Sequence, residues 1–448
     1  MQTMRNLLAR VAPSLTGLAG LALFCGLWCG GAHGVYNQLL NAWGVQPGRF
    51  PFLDLQSNLA AWDCARKGVD VIQADPCDVL LGGYNYSPFW MSIDWISLGR
   101  PELGWAGLVL GTTFLCSLAA LPPPLSRTET LVRVACVLSM TAVFAVERAN
   151  LDLLIFLLVL IVLFLLHRSP IVRGFGYAVA FIAGAIKYYP FVLFGLAARE
   201  RPRILFPFAA AVLVGLAAFY HHYAAQIREG LPKIPHGSVF GNMFGLINLP
   251  GGTFILLETF KVAPATAAAA GLILGVLLAA AMAWIMNRIW LGSDFRAVVR
   301  GLDEPRRLAL LAGALLLAGC FVTGQNVAYR GIFLFLILPG LFAIGHNPSA
   351  GAAAPAARLA AATIAPLMWS PALRNWVHLA ITGHFPPPHY VMVPVLPLDI
   401  LVWSLRETAW WLLTAYLITI LLAFLLDCPL FKLRRSSPAG AASSPPKA

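Results

Sequence analysis

Charge is what this chain has least of. Charged residues fill only 11% of its 448 positions, against about 25% in a soluble globular domain, too few to coat a surface that faces water on all sides. Acids are scarcer than bases, 19 against 31 Lys and Arg, for a net charge of +12. There is no Gly-rich phosphate loop, no Gly-x-Ser-x-Gly and no zinc-ligand spacing. Nothing on the expected cytoplasmic side could hold a nucleotide, which argues against a cytosolic nucleotide-sugar enzyme or an ATP-driven pump. No internal repeat is found, and no polar stretch is long enough to fold around a core of its own. Six of the eight cysteines (Cys25, Cys29, Cys116, Cys136, Cys320 and Cys428) sit in apolar runs, so a disulfide-stapled scaffold is excluded. Disorder is excluded by abundance: 59% hydrophobic residues, with 13 Trp and 27 Phe, and a mean hydropathy of +0.76. These features describe an all-α polytopic membrane bundle. The basic excess lies in short loops between apolar runs rather than on one polar face, which marks topology and not a nucleic-acid surface.

The apolar runs divide into about 12 segments near the roughly 17–25 residues needed to cross a bilayer: 11–32, 102–121, 131–147, 150–166, 171–186, 188–199, 204–223, 263–289, 307–323, 329–345, 358–380 and 398–426. Segment 188–199 is too short to cross alone. With the one before it, it reads as a membrane hairpin turning at Lys187-Tyr188-Tyr189-Pro190; a single kinked helix over 174–197 is the rival and would invert everything downstream. Under the hairpin reading the cytoplasmic segments hold 19 of the 31 basic residues and 6 of the 19 acids, the bias of the positive-inside rule. Both termini are then cytoplasmic in a multi-pass protein of the cell inner membrane. Residues 1–433 form one integral domain, 434–448 a disordered tail, and 33–101, 224–262 and 381–397 (with Phe385-Pro386-Pro387-Pro388-His389) the extracytoplasmic segments. The first run continues past Trp28, unlike a cleaved signal peptide.

The first outer loop carries Arg49-Phe50-Pro51-Phe52-Leu53-Asp54-Leu55, and from Leu55 the apolar residues Leu55, Leu59 and Trp62 share a helical face. Such a helix would lie in the interface against lipid or the bundle. Asp54 reads as its N-cap, or as a catalytic carboxylate at the bilayer surface. The readings are compatible, since a helix N-terminus keeps the group ionised while limiting its basicity. Cys64 and Cys77, alone outside the spans, are expected to pair in an oxidising compartment; two buried free thiols are the alternative. Tyr84 and Tyr86 read as aromatic-belt residues, or as rings for a sugar or lipid.

Glu147-Arg148-Ala149-Asn150-Leu151-Asp152 interrupts two apolar runs. It is either a turn, with Asn150 capping the next helix and Glu147 and Arg148 solvated, or a functional site, as ionisable groups near hydrocarbon often are. Lys187 and Arg330 either snorkel to headgroups or bind a lipid phosphate, for which a fixed cation is the fitting partner. Histidines 221, 222, 236, 384 and 389 lack ligand spacing, so no metal is expected.

In their order and spacing, three features of the first loop resemble the C-type (GT-C) membrane glycosyltransferases: Asp54-Leu55, the Ala-rich helix ending near Gly68, and Tyr84-Asn85-Tyr86-Ser87-Pro88. Arg148-x-Asn150-x-Asp152 and Lys187-Tyr188-Tyr189-Pro190 add to the likeness. It covers residues 35–200 and is nearest to the polyprenyl-phosphate-mannose-dependent α-mannosyltransferases of glycosyltransferase family 87. Ala149 stands where that family usually has Gly, and Ser87 where it has Pro. The resemblance implies a single inverting displacement. Asp54 would be general base, and Lys187, Arg330 and Arg148 would face a polyprenyl-phosphate sugar that serves as co-substrate without any cofactor. The acceptor would be a lipid or glycan. Lipid-linked saccharide transport, or polysaccharide ligation or polymerisation, are the competing readings.

Overall fold

The structure is a computed structural model and describes residues 2–79, 84–93, 95–234, 237–385 and 396–429. The Pro386–His389 motif, His236 and the 434–448 tail lie outside them.

Two amphipathic or apolar helices open the chain, α1 (Gln2–Cys29) and α2 (His33–Ala42), followed by α3 (Leu53–Ala65) in the long loop before α4 (Leu103–Ser117). Next come α5 (Arg127–Val137) and α6 (Met140–Glu147), capped by the side chains of Ser126 and Ser139, which accept from Glu129 and Ala142 amides. The Ser139 cap is where expected segment 131–147 breaks, with a 45° bend, because a residue whose hydroxyl binds the next turn's amide starts a helix rather than continuing one. Then follow α7 (Leu151–Leu166), α8 (Pro170–Ile186), α9 (Pro202–Gly230), α10 (Asn248–Thr259), α11 (Pro264–Leu291), α12 (Phe295–Arg300), α13 (Glu304–Thr323), α14 (Leu334–His346), α15 (Ala353–Thr382) and α16 (Pro397–Leu426). Among the described residues the one sheet is an antiparallel pair, Met243–Phe244 with Asn326–Val327.

Among the described residues seven helices, α4 among them when taken with its flanking 3₁₀ turns, are long and apolar enough to cross a membrane, or eight counting the bent α5–α6 pair. The chain is thus an all-α, multi-pass membrane protein by length and composition, with fewer full-length spans than twelve segments suggest. The shortfall has a physical origin. Helix α7 has 16 residues, about 24 Å at 1.5 Å per residue, short of the ~30 Å hydrocarbon core, and α8 has 17. Helix α15 is long, but it carries Arg358, Arg374, Pro366 and Pro371.

The hairpin is formed. Lys187 ends α8 with an extended backbone (φ −142°, ψ 115°), and Tyr189–Arg199 returns as a 3₁₀ helix. Phe181 meets Phe191 and Phe194 at 5.6 and 6.3 Å across the pair. Arg173 near the start of α8 grips Glu200, just past the returning helix, through two 2.7 Å hydrogen bonds. A continuous kinked helix over 174–197 would put those residues at opposite ends.

The core lies in α13, α14 and α16, where Leu334 to Leu338 are 0–1% exposed. Small residues let α13 and α14 approach: a Cβ on Gly313 would stand 2.5 Å from the Ile337 side chain, as in close membrane-helix pairs. Helices α9 and α11 are peripheral, leaving Leu213 and Leu272 exposed where lipid would cover them.

Candidate functional site

The site is built from one turn. Helix α6 ends in a Schellman arrangement: the Ala149 amide donates to Val146 O (3.0 Å) and the Asn150 amide to Ala145 O (3.0 Å), with Ala149 left-handed at φ 43°. Gly is usual at that position; the strain of carrying a Cβ there is about 1–2 kcal/mol. The turn leaves the carbonyls of Glu147 and Arg148 pointing away from α6, and they accept from the first amides of α3. Phe52 N donates to Glu147 O (2.6 Å), and Asp54 N and Leu55 N both donate to Arg148 O (3.2 and 3.3 Å). A helix start has unpaired donors by construction; here another turn's spare acceptors satisfy them, so Asp54 is fixed through the backbone.

Asn150 then joins three chain regions. Its Oδ1 accepts from the Asp152 amide (2.9 Å), capping α7, and from Lys187 Nζ (2.8 Å). Its Nδ2 donates to Asp54 Oδ2, so the amide's orientation is set by all three partners. Lys187 Nζ also pairs with Asp152 Oδ1 at 2.9 Å, which Tyr189 reaches through its hydroxyl at 2.7 Å. Arg330 completes the row, 3.7 Å from Asp152 Oδ2, bonded to Asn326 and lying over the Tyr189 ring at 4.7 Å. The rings of Tyr86 and Tyr329 flank Lys187 at 5.5 and 5.4 Å, a geometry that favours a desolvated cation. Burial pushes the Asp54 carboxyl above its ordinary value, against the opposing pull of Arg148, the Asn150 hydrogen bond and Lys187.

Every residue singled out for chemistry except the cysteines falls in or beside this cluster, but several in a different role from the expected one. Asp54 is not the N-cap; Phe52 occupies that place, left-handed at φ 68°, and Asp54 sits in the first turn with no capping bond. Nor does the helix start limit its basicity, because desolvation raises the carboxyl instead. Leu55, Leu59 and Trp62 are buried, so that face packs on the bundle and not on lipid. Asn150 does cap α7, yet Glu147 is 7% exposed and held by the Tyr36 hydroxyl (3.3 Å) and Arg148 (3.1 Å), not solvated. Arg148 donates to Gln46 O at 2.8 Å, tying the turn to the segment before α3. Lys187 is 8% exposed and bound inward, not snorkelling. Tyr84, 4% exposed, is too buried for an aromatic belt; its hydroxyl donates to Asn58 Oδ1 (3.3 Å), and Asn58 Nδ2 to Asp54 O (2.8 Å).

Sequence reasoning passed over Tyr189, Tyr329 and Gln56. The first two had a signal, being next to Pro190 and Arg330 in the motifs already marked. Gln56, two residues after Asp54 and 2% exposed, has an amide with no hydrogen-bond partner among the described residues; its position inside an apparently ordinary helix hid it.

Cys64 and Cys77 form a disulfide. It fastens the end of α3 to the following loop, beside a stack of Trp62 on Trp90 at 4.9 Å. Asp75 lies with the two sulfurs, but sulfurs bonded to each other cannot ligate a metal as thiolates. Comparison with protein-family profiles, with curated proteins and with solved structures returned no match to this chain.

Proposed function

We propose that this protein is an inverting membrane glycosyltransferase. It moves a hexose, mannose on the resemblance, from a polyprenyl-phosphate sugar to a hydroxyl of a lipid or glycan acceptor at the outer face of the cell inner membrane, with both termini in the cytoplasm. The observation that carries this reading is the continuous row Asp54–Asn150–Lys187–Asp152–Arg330. In it a basic carboxylate and Lys187 are joined through one amide, and Arg330, from a fourth chain region, joins them through Asp152.

Each group has a chemical task. The acceptor oxygen attacks the anomeric carbon, the bond from that carbon to the phosphate oxygen breaks, and Asp54 takes the hydroxyl proton. A carboxyl raised by burial is a better base than a solvated one, and general-base assistance is worth about 10²–10⁴ in rate. The leaving polyprenyl phosphate gains negative charge, which Lys187 and Arg330 meet in a low-dielectric setting where fixed charges act strongly. Arg148 acts from beside Asp54, holding its turn and moderating its charge. Asn150 keeps base and cation a fixed distance apart, and Tyr86, Tyr189 and Tyr329 exclude water from the cations. A single displacement inverts the sugar and needs no cofactor.

The test is to supply membranes bearing this protein with a panel of polyprenyl-phosphate sugars and to identify the product. One sugar transferred with inversion supports the reading. No transfer from any, with donor lipid moved across the bilayer instead, supports a transporter and removes the enzyme.

A further inference from the structure

An apolar cavity of about 860 Å³ lies between α1, α2, α4 and α6, within the range of about 300–1,000 Å³ typical of small-molecule sites. Its wall runs along α1 and along α4, which with its flanking 3₁₀ turns forms the candidate span Arg100–Ala120, and it includes exposed Leu23, Trp105 and Leu108. Its buried lining includes Phe52 and Glu147, joined by the bond from Phe52 N to Glu147 O (2.6 Å). Phe52 is separated from Asp54 by Leu53 alone, so this end of the cavity lies at the start of the helix that carries the base, while Asp54 itself is not in the lining. Among the described residues no Lys, Arg or His lines it; the one charged residue there is a carboxylate, Glu147. The cations Lys187 and Arg330 gather on Asp152 and take no part in its lining.

That separation assigns occupants. A phosphate entering a wall of hydrocarbon and carboxylate would lose its hydration with nothing to replace it. A hydroxyl headgroup would find acceptors there. We propose that the cavity seats the hydrocarbon of an uncharged, hydroxyl-bearing lipid, the acceptor, which approaches Asp54 from the α1–α4 side, leaving Lys187 and Arg330 to the donor's phosphate. This rests on the transferase reading for the word acceptor; the lipid site itself does not.

A Cβ added at Gly20 or Gly104, both in the lining, meets nothing within 4 Å, so a side chain can start from either position, and Gly20→Trp and Gly104→Trp each set an indole at the cavity wall. The full chain in phosphatidylcholine vesicles is photolabelled with a diazirine-bearing diacylglycerol, with phosphatidic acid of the same chains, and with a diazirine-bearing polyprenyl phosphate, and labelled peptides are mapped. The expected result is diacylglycerol label on α1 and α4 that falls about tenfold, 1.4 kcal/mol, in either Trp variant, weak phosphatidic acid label there, and polyprenyl phosphate label that the variants leave unchanged. Equal labelling by phosphatidic acid, diacylglycerol label indifferent to both variants, or polyprenyl phosphate label lost from both would each overturn the proposal. Sugar transfer by the wild type, followed in the same vesicles, reads the reaction separately, since labelling needs no turnover.

Discussion

Replacing Lys187 by Met removes a charge while keeping most of the side chain's volume, and its surroundings set the consequences. Asp152 is 0% exposed and loses its 2.9 Å partner, and Asn150 Oδ1 loses a 2.8 Å donor. Breaking a buried pair from one side costs about 3–5 kcal/mol. Tyr189 at 2.7 Å and Arg330 at 3.7 Å remain, which puts the cost near the lower end, about 3 kcal/mol. At about 2 °C per kcal/mol for a long chain, Tm should fall by about 6 °C. Asp152→Asn together with Lys187→Met removes both charges of that pair, and should recover part of the loss; the rest stays lost because Arg330 gives up its own carboxylate partner, Asp152, and keeps its bond to Asn326. Turnover should behave otherwise. If Lys187 meets the leaving phosphate, its loss costs about 10²–10³ in kcat, and the double variant should be as slow as the single one. Thermal unfolding in detergent and transfer rates in liposomes read the two quantities side by side. Wild-type turnover returning in the double variant along with its Tm would refute the reasoning, since Lys187 would then serve only to neutralise Asp152.

Other outcomes stem from the same geometry. The acid limb of kcat/KM should lie above pH 3.9, the ordinary Asp value, because burial raises Asp54 and only its ionised form accepts a proton; a limb at or below that value contradicts the assignment. The same shift is a stability statement. Burial penalises the charged form, so the folded state loses stability as pH rises from the ordinary Asp value through the raised one. Asp54→Asn should therefore unfold at the same or a higher temperature than wild type at pH 7, and a clear drop in Tm would count against burial as the cause. Replacing Cys64 and Cys77 by Ser releases a cross-link spanning 13 positions, for which a loss of about 2–4 kcal/mol is expected; unchanged Tm with and without reductant would show that the bond does not constrain the loop.

How far the sequence reached depends on the distance over which each feature is determined. The hairpin was readable because Lys187-Tyr188-Tyr189-Pro190 puts a proline and polar groups inside an apolar stretch, and only a turn there, not a kinked helix, leaves the basic residues biased to one side. The Cys64–Cys77 pair was readable because no other cysteines lay outside apolar runs. Asn150 as a cap was readable from local spacing. The true setting of Asp54 was not. Its helix start is completed by the carbonyls of Glu147 and Arg148, far along the chain, and Phe52 takes a left-handed backbone that no propensity suggests. The burial of Glu147 and Lys187 likewise arises from partners on other elements, Tyr36 and Asp152, so local pattern favoured solvent or headgroups. The bend inside segment 131–147 was not legible either, because the hydroxyl cap at Ser139 breaks an apolar run that composition alone would continue.

The most direct measurement is the single-turnover rate of hexose transfer from a polyprenyl-phosphate sugar by purified Asp54→Asn protein in liposomes, beside wild type. The substitution preserves the shape and an acceptor for the Asn150 amide, so the fold is kept and the proton acceptor alone is lost. The account predicts a rate lower by about 10²–10⁴ with donor binding intact. A rate within a few-fold of wild type would contradict it.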